Sequence, residues 1–529
     1  MVDVTSSTWA PLRSPVFRAL WIAQLVSNLG TWMQTVGAQW MLVGDPRADV
    51  LVPLVQTATT LPVMLLALPS GVLADLVDRR RLLLATQGAM AAGVAFLAAL
   101  TGFGLTTPAV LLIVLFVIGC GQALTAPAWQ AIQPDLVPPQ QIPAAAALGS
   151  MSMNGARAIG PAIAGALVSL AGPTLVFGLN AVSFIGIVAV LLWWRRPPVE
   201  HDYPPERAMA ALSAGGRFIR SSPIVRRILL RTALFIAPAS ALWGLLPVIA
   251  ADQLHLSSSG YGLLLGALGV GALLGALVLS RLRSRFGANI LLTLGAVGFA
   301  AATAVLALVP IFGVVLAALV VGGASWLLSL STLNASMQLS LPAWVRARGL
   351  SVYQLIFMGG QALGSLIWGL LAGATTSVTS LLVSVGLLLA CAASSLWWPL
   401  HAKTGNLDLT PSSHWPEPSL VFEPEPLDGP VLVLTSYRVL PENEEQFIAA
   451  MDVLGRSRQR TGASQWRLFR SVEEESTFVE TFVVRSWGEH MHQHYTRLTN
   501  QDQAVEERVE GLIEGAATSH HYLAVRESR

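Results

Sequence analysis

The sequence predicts an all-α membrane protein, with twelve transmembrane helices in two six-helix repeats, followed by a C-terminal ferredoxin-like α+β soluble domain. Three observations predict this. Charged residues make up only 12% of the 529, and hydrophobic ones 53%, whereas ordinary soluble domains are about a quarter charged. Sequence landmarks in the apolar part recur at one constant offset. The charge is also split: residues 1–403 carry 21 Lys and Arg against 10 Asp and Glu, net +11, while residues 404–529 carry 11 against 20, net −9. The overall +2 therefore hides two physical objects, and the first has too little charge for an ordinary cytosolic enzyme.

A helix needs about 20 apolar residues to cross about 30 Å of hydrocarbon. Twelve such runs occur: 16–43, 50–74, 82–104, 108–130, 143–171, 173–194, 227–250, 259–280, 288–309, 311–336, 346–373 and 376–399. Several are rich in Gly and Ala, as in GALGVGALLGALVLS at 266–280, a composition that lets helices approach closely in lipid. Short loops rich in Arg stay cytoplasmic. One set of alternate segments holds Arg13, Arg18, Arg79, Arg80, Arg81, the arginines of 195–227, Arg281, Arg283, Arg285, Arg346, Arg348 and Lys403, whereas the other holds Arg47. Both termini are expected on the cytoplasmic side of the membrane. The first 20 residues show no pattern of a cleavable signal peptide. Cys120 and Cys391 lie far apart inside apolar runs and read as small packed residues.

The repeat rests on three landmarks. GARAIGPAIAG at 155–165 matches GGQALGSLIWG at 359–369, placing Gly155, Gly160 and Gly165 on Gly359, Gly364 and Gly369. The offset of 204 also places Pro138 on Pro342, and Gly71, Arg79 and Arg81 on Gly275, Arg283 and Arg285. The domain reading follows: a six-helix bundle at 1–194, a middle loop at 195–226 and a second bundle at 227–403. A linker occupies 404–430 and a soluble domain 431–529. The middle loop includes AMAALSAGGRFIRSSP, a segment with the pattern of an amphipathic helix at the inner membrane face.

Polar residues inside the spans are the candidate functional groups, because hydrocarbon penalises them. Arg157 lies well inside span 5, and its repeat mate is Gln361 on span 11. Gln24, Asn28, Thr31 and Thr35 form a stripe at helical spacing on span 1, and Gln354 adds to span 11. These residues are expected to line a central path, although bonding between helices is an equally ordinary use of such groups. Trp32, Trp40, Trp129 and Trp243 read as wall residues or interface anchors. Gly160 and Pro161 break the backbone bonding of span 5 and, with Gly165 and Gly364, read as hinge and packing positions. No carboxylate lies mid-span; Asp135 and Asp252, near span ends, are the candidates for carrying a coupling proton. The chain has no G-x-x-x-x-G-K-[ST] phosphate loop.

After span 2 stands GVLADLVDRRRLLL, residues 71–84. It resembles the loop motif G-x-L-A-D-x-x-G-R-[RK] of the major facilitator superfamily, with Asp78 in a glycine position. The resemblance implies a charge-relay gate formed by Gly71, Asp75, Asp78, Arg79, Arg80 and Arg81. The second copy, GALVLSRLRSRFG at 275–287, has Leu279 where the aspartate would stand. NGARAIGPAIAG at 154–165 is similar to the exporter motif G-x-x-x-G-P-x-x-G-G, with Ala156 and Ala164 in two glycine positions.

The linker is rich in proline and acidic residues. Beyond it, VLVLTSYRV reads as a strand, PENEEQFIAAMDVLGRSRQRTG as a helix and SQWRLFRSVEEESTFVETFVVRSW as two strands. SWGEHMHQHYTRLTNQDQAVEERVEGLIEG reads as a helix and SHHYLAV as a last strand. The order β-α-β-β-α-β is the ferredoxin-like unit, and the tail resembles antibiotic-biosynthesis-monooxygenase-like domains. His490 and His494, one helical turn apart, together with His492, His520 and His521 invite a metal reading. No carboxylate or cysteine signature accompanies them, so solvated or packed histidines, and no metal, are expected.

The whole chain is similar to the transmembrane secretion effectors, bacterial relatives of the enterobactin exporter. That resemblance implies a secondary transporter of the bacterial cytoplasmic membrane, not an enzyme. It would export a small amphipathic molecule such as a siderophore, drug or secondary metabolite by alternating access. The expected partners are that substrate, protons, the lipid bilayer and a second copy through the tail, with no cofactor and no nucleic acid. The alternatives are an importer, or a membrane-anchored enzyme or sensor whose active part is the tail. The opposite charges of tail and membrane half also suggest that the tail docks on the basic loops.

Overall fold

The computed structural model describes residues 9–194, 216–400, 407–410, 412, 415, 418 and 420–525. Most of the expected middle loop and part of the linker lie outside them. The chain forms two units, one of Met1–Asp202, Arg231–Leu333 and Tyr353–Pro399, the other of Tyr203–Leu230, Asn334–Val352 and Leu400–Arg529.

The first unit is helical, as it must be where no water can satisfy backbone groups. Its helices, some of which begin in the other unit, are α1 (Pro15–Val43), α2 (Ala48–Leu76), α3 (Arg79–Gly102), α4 (Pro108–Leu136), α5 (Ile142–Trp193), α6 (Pro223–Asp252), α7 (Ser258–Arg285), α8 (Ala288–Leu308), α9 (Phe312–Gln338), α10 (Ala343–Ala374) and α11 (Ser377–Trp397). Among the described residues, ten of these are long and apolar enough to cross a membrane. The eleventh, α1, misses that criterion because Gln24, Asn28, Gln34 and Gln39 dilute its apolar run. The expected fifth and sixth spans are two arms of α5, separated at Gly172, whose φ of 76° is left-handed backbone that glycine adopts without a Cβ clash.

Close helix crossings fall on four of the glycines that the sequence pairs at offset 204, whereas Gly155 has open space around it. A Cβ added at Gly160 would lie 2.9 Å from Trp32 Cβ on α1, and one at Gly364 would lie 2.7 Å from the Ala237 carbonyl oxygen on α6. Gly165 backs directly onto Ser258 and Gly262 of α7, and Gly369 onto Pro53 of α2. Two of the helix pairs are tied by a hydroxyl: Ser258 donates to the Gly165 carbonyl at 3.1 Å, and Thr57 of α2 donates to the Ala362 carbonyl at 2.9 Å. Arginines close two helix ends. Arg80 donates to the Leu191 and Leu192 carbonyls at 2.8 and 3.1 Å, and Arg231 donates to Cys391 O and Ser394 Oγ, each at 3.0 Å, and to Trp398 O. Both place a cation on the negative end of a helix dipole.

The second unit holds the tail: β1 (Val431–Arg438), α12 (Glu444–Thr461), β2 (Ser464–Arg470), β3 (Thr477–Val484), α13 (Trp487–His492), a π-helical turn (Gln493–Arg497), α14 (Asn500–Glu510) and β4 (Thr518–Leu523). The helix expected across 486–515 is thus broken, and Thr499 with Asp502 forms a capping box that restarts it. The four strands make an antiparallel sheet in the order β2-β3-β1-β4. Apolar side chains of β1, β3 and α12, including Tyr437, Phe447, Met451 and Phe478, form its core.

A charged network lies inside that core. Arg458 donates to Glu480 at 3.2 Å and also pairs with Glu506. Tyr437 and Trp466 donate to Glu480 at 2.7 and 2.8 Å. Burial would pull the Arg458 guanidinium down, but Glu506 and Glu480 outweigh it and hold it above its ordinary value. Burial, then Glu480, push the Tyr437 hydroxyl well up. Also within this unit, Glu489 pairs with Arg217, while Arg497 stacks over Trp344 at 5.0 Å and Phe218 meets Trp344 edge-on at 5.6 Å.

Gly262 gives a test of the α5–α7 crossing, because a Cβ there would sit 2.6 Å from the Pro161 carbonyl oxygen, whereas Gly149 has open space around it. Gly262→Leu should destabilise the purified protein by about 1–3 kcal/mol, read as a lowered thermal midpoint in detergent. Gly149→Leu should leave that midpoint in place.

Candidate functional site

In α1 the polar stripe is largely engaged in bonding between or along helices. Gln24 donates to Asn28 Oδ1 at 3.0 Å, and Asn28 donates to Ser152 Oγ of α5 at 3.1 Å. Thr31 and Thr35 return their hydroxyls to carbonyls one turn back, at 2.9 and 3.0 Å. One turn deeper, Asn180 of α5 donates to Gln34 at 2.6 Å, and Tyr261 of α7 donates to Gln39 at 2.6 Å. These last two pairs went unnoticed in the sequence, although Gln34 and Gln39 extend the polar content of the same helix. Gln24 Oε1 and Gln361 Oε1 are buried without a hydrogen-bond partner among the described residues, and Gln354 is exposed.

Arg157 sits where both parts of the helical unit meet. A narrow pocket is walled by Trp32 of α1, Arg157 and Pro161 of α5, Trp243 of α6, Leu265, Leu268, Gly269 and Ala272 of α7, and Gly323 and Trp326 of α9. The guanidinium stands 5.4 Å from the centre of the Trp32 ring. Arg157 Nε, Trp243 Nε1 and Trp326 Nε1 are buried with no hydrogen-bond partner among the described residues. All three are donors with no acceptor capacity. A desolvated cation–π contact is worth about 2 kcal/mol, less than the roughly 2.5–3.5 kcal/mol cost of an arginine at mid-membrane. The arrangement suits a molecule that brings acceptors or negative charge and an aromatic or apolar body.

Trp326 is the wall residue that the sequence reading missed. It packs on Trp243 at 5.4 Å, Phe299 at 5.5 Å and Phe235 at 5.8 Å. Nothing in the local run GGASW distinguishes a wall-forming indole from a lipid-facing one. Arg231 was missed as well. It is a buried cation, and its bonds to the end of α11 explain it as structural.

At the expected gate, Asp78 caps α3 by accepting from the Arg81 amide at 2.8 Å. Arg80 is committed to the end of α5, as described above. The side chains of Gly71 and Asp75 lie outside the described part of the structure. Of the hinge and packing residues, Gly160, Pro161, Gly165 and Gly364 all occupy helix crossings. Asp135 is half-buried and Asp252 exposed, at the ends of α4 and α6. In the tail, His490 and His494 are buried rather than solvated. Burial first, then His494 and His521, push the His490 imidazole down to about 3.

Known proteins agree with this architecture. The enterobactin exporter EntS of Citrobacter koseri is 29% identical over 390 residues, covering 71% of this chain and 91% of the exporter. That of Shigella boydii serotype 18 is 30% identical over 375 residues, covering 69% and 87%. Among solved structures, a point mutant of the nucleoside transporter NupG superposes with a TM-score of 0.60 at 16% identity, over 72% of this chain and 99% of that one. An inward-facing, occupied bacterial homologue of the human lysosomal transporter Spinster gives 0.60 at 17%, over 73% and 97%. At such identities the structural likeness establishes the fold alone, that of the major facilitator transporters. The sequence profile described as transmembrane secretion effector matches residues 6–529, and the chain accordingly belongs to that family of multi-pass membrane transporters, which are not enzymes.

Proposed function

We infer that the protein is a secondary transporter that exports a small amphipathic, acceptor-rich molecule, such as a siderophore, drug or secondary metabolite, from the bacterial cytoplasm. The observation that carries this reading is the pocket in which Arg157 Nε and two tryptophan N–H groups stand without acceptors among the described residues. Export, rather than import, is supported by the relatives named as enterobactin exporters. In this reading α1 and the two arms of α5 complete twelve spans, with both termini in the cytoplasm. The two six-helix halves rock about the pocket, pivoting on the glycine crossings. Asp75 and Arg79 act as the inner charge relay, and protons drive the cycle through a carboxylate near a helix end. The tail, with its β2-β3-β1-β4 sheet, is read as a ferredoxin-like module that offers a surface for self-association.

Inside-out vesicles test the direction and the energy source together. Labelled enterobactin and a panel of aromatic and anionic metabolites should accumulate when a proton gradient is imposed and not when it is collapsed. Accumulation in right-side-out vesicles alone would make the protein an importer, and gradient-independent movement would remove proton coupling.

Arg157→Gln removes the charge but keeps a polar side chain. A charge-assisted hydrogen bond contributes about 1.5–3 kcal/mol, so transport of an anionic substrate should fall roughly tenfold to hundredfold at unchanged protein level. Arg157→Lys should retain a larger share. Equal rates for wild type and Arg157→Gln would assign the arginine to packing.

A further inference from the structure

The tail contains a cluster of side chains that transport does not use. His490 lies on α13, His494 on the π-helical turn that follows it, and His521 on β4, where it pairs in register with Val433 of β1. The three come from two sides, helix and sheet, onto one point. Their ring centres are 5.0 Å apart for His490 and His494, 4.8 Å for His490 and His521, and 6.5 Å for His494 and His521. One ligand atom from each lies within 4.8 Å of the others.

Packing alone leaves this cluster unexplained. Trp487 lies 5.6 Å and Trp415 6.2 Å from His490, and these contacts cover the ring but do not satisfy its nitrogens. His490 is fully buried, neither ring nitrogen is in good hydrogen-bond geometry with a partner among the described residues, and the neighbouring Gln493 side chain, whose Oε1 is likewise unpartnered, bears on the ring only weakly. Buried polar groups are almost always paired, so a histidine with both nitrogens orphaned beside two further imidazoles points to a missing ligand. An anion would gain little here, since no cationic side chain joins the three rings, and Arg458 nearby is held by Glu480 and Glu506. A metal ion would use the lone pairs directly.

We propose that His490, His494 and His521 bind one divalent transition-metal ion of the imidazole-preferring class, zinc being the reference case, with a fourth coordination position left open. Zinc holds imidazole nitrogens at about 2.0–2.1 Å, which requires the nitrogens to stand about 3.4 Å from one another. Binding would draw the nitrogens together from their present spread of up to 4.8 Å. Three neutral nitrogens and no carboxylate select against magnesium and calcium, which take oxygen ligands. The indoles of Trp415 and Trp487 supply the apolar shell that keeps competing water out. The bound ion ties the last strand to the helical segment 487–497, and the open position takes water or a small ligand.

The test uses the tag-free full-length chain in detergent, stripped with a chelator and titrated with zinc or cobalt. One equivalent should bind, cobalt should develop the visible absorption of a low-coordinate site, and the metal should raise the tail's thermal midpoint. Loss of a ligand should exceed the tenfold to hundredfold effect of losing an outer-shell partner, so His494→Gln and His521→Asn should each weaken zinc binding by about a hundredfold or more. His492→Asn and His520→Asn, at exposed neighbours, should not weaken it. His490→Asn is the third ligand variant; if it fails to fold, the two preceding variants and the cobalt spectrum still decide. No stoichiometric binding by the wild type, or affinity unchanged by His494→Gln and His521→Asn, would overturn the proposal.

Discussion

Hydrocarbon cannot form hydrogen bonds, and that limit organises the membrane unit. It forces the backbone into helices, and it requires each polar side chain at depth to find a protein partner or a reason to lack one. Most find partners. Asn180 bonds Gln34, Tyr261 bonds Gln39, Asn28 bonds Ser152, and many serine and threonine hydroxyls return to nearby carbonyls or cross between helices, whereas those of Ser329, Thr332 and Ser365 have no partner among the described residues. Among the unpaired buried atoms, Arg157 Nε, Trp243 Nε1 and Trp326 Nε1 share one pocket. Function is read from that concentration rather than from the fold, which hosts transporters of many kinds.

Close approach makes this bonding possible. A serine or threonine hydroxyl can reach a carbonyl on a neighbouring helix only where the backbones nearly touch, and the glycines at 165, 262 and 369 create those places. Gly172 serves a different end, breaking the helix between the two arms of α5 by a backbone conformation that favours glycine.

Helix positions, the recurrence at offset 204 and the candidacy of Arg157 were legible in the sequence because each depends on local pattern: apolar length, repeated spacing, a lone charge in a run. Trp326 was not, since a tryptophan in an apolar helix has the same local signature whether it faces lipid, neighbour or pocket. Gln24, Asn28 and Thr31 were visible as a stripe, but whether a stripe bonds a neighbour or faces a cavity depends on what lies opposite, and Ser152 is 124 residues away from Asn28. The buried network of Arg458, Glu480 and Glu506 was equally hidden, because its members come from a helix, a strand and another helix and read individually as surface charges. The tail histidines show the same limit. His490 and His494 were recognisable as one face, and His521 joins them through strand pairing that sequence spacing does not encode.

The reading of the pocket as an aqueous ligand path is tested most directly by cysteine accessibility, for which the chain is convenient because it has two cysteines, Cys120 and Cys391. With both replaced by serine, single cysteines are placed at Ala272, on the pocket wall, and at Leu277, an exposed residue further along the same helix α7. In native membranes a hydrophilic maleimide should modify Ala272→Cys, transported substrate should protect it, and Leu277→Cys should stay unmodified in the lipid. Labelling at Leu277→Cys with none at Ala272→Cys, or labelling of Ala272→Cys indifferent to every transported substrate, would contradict the pocket as the path.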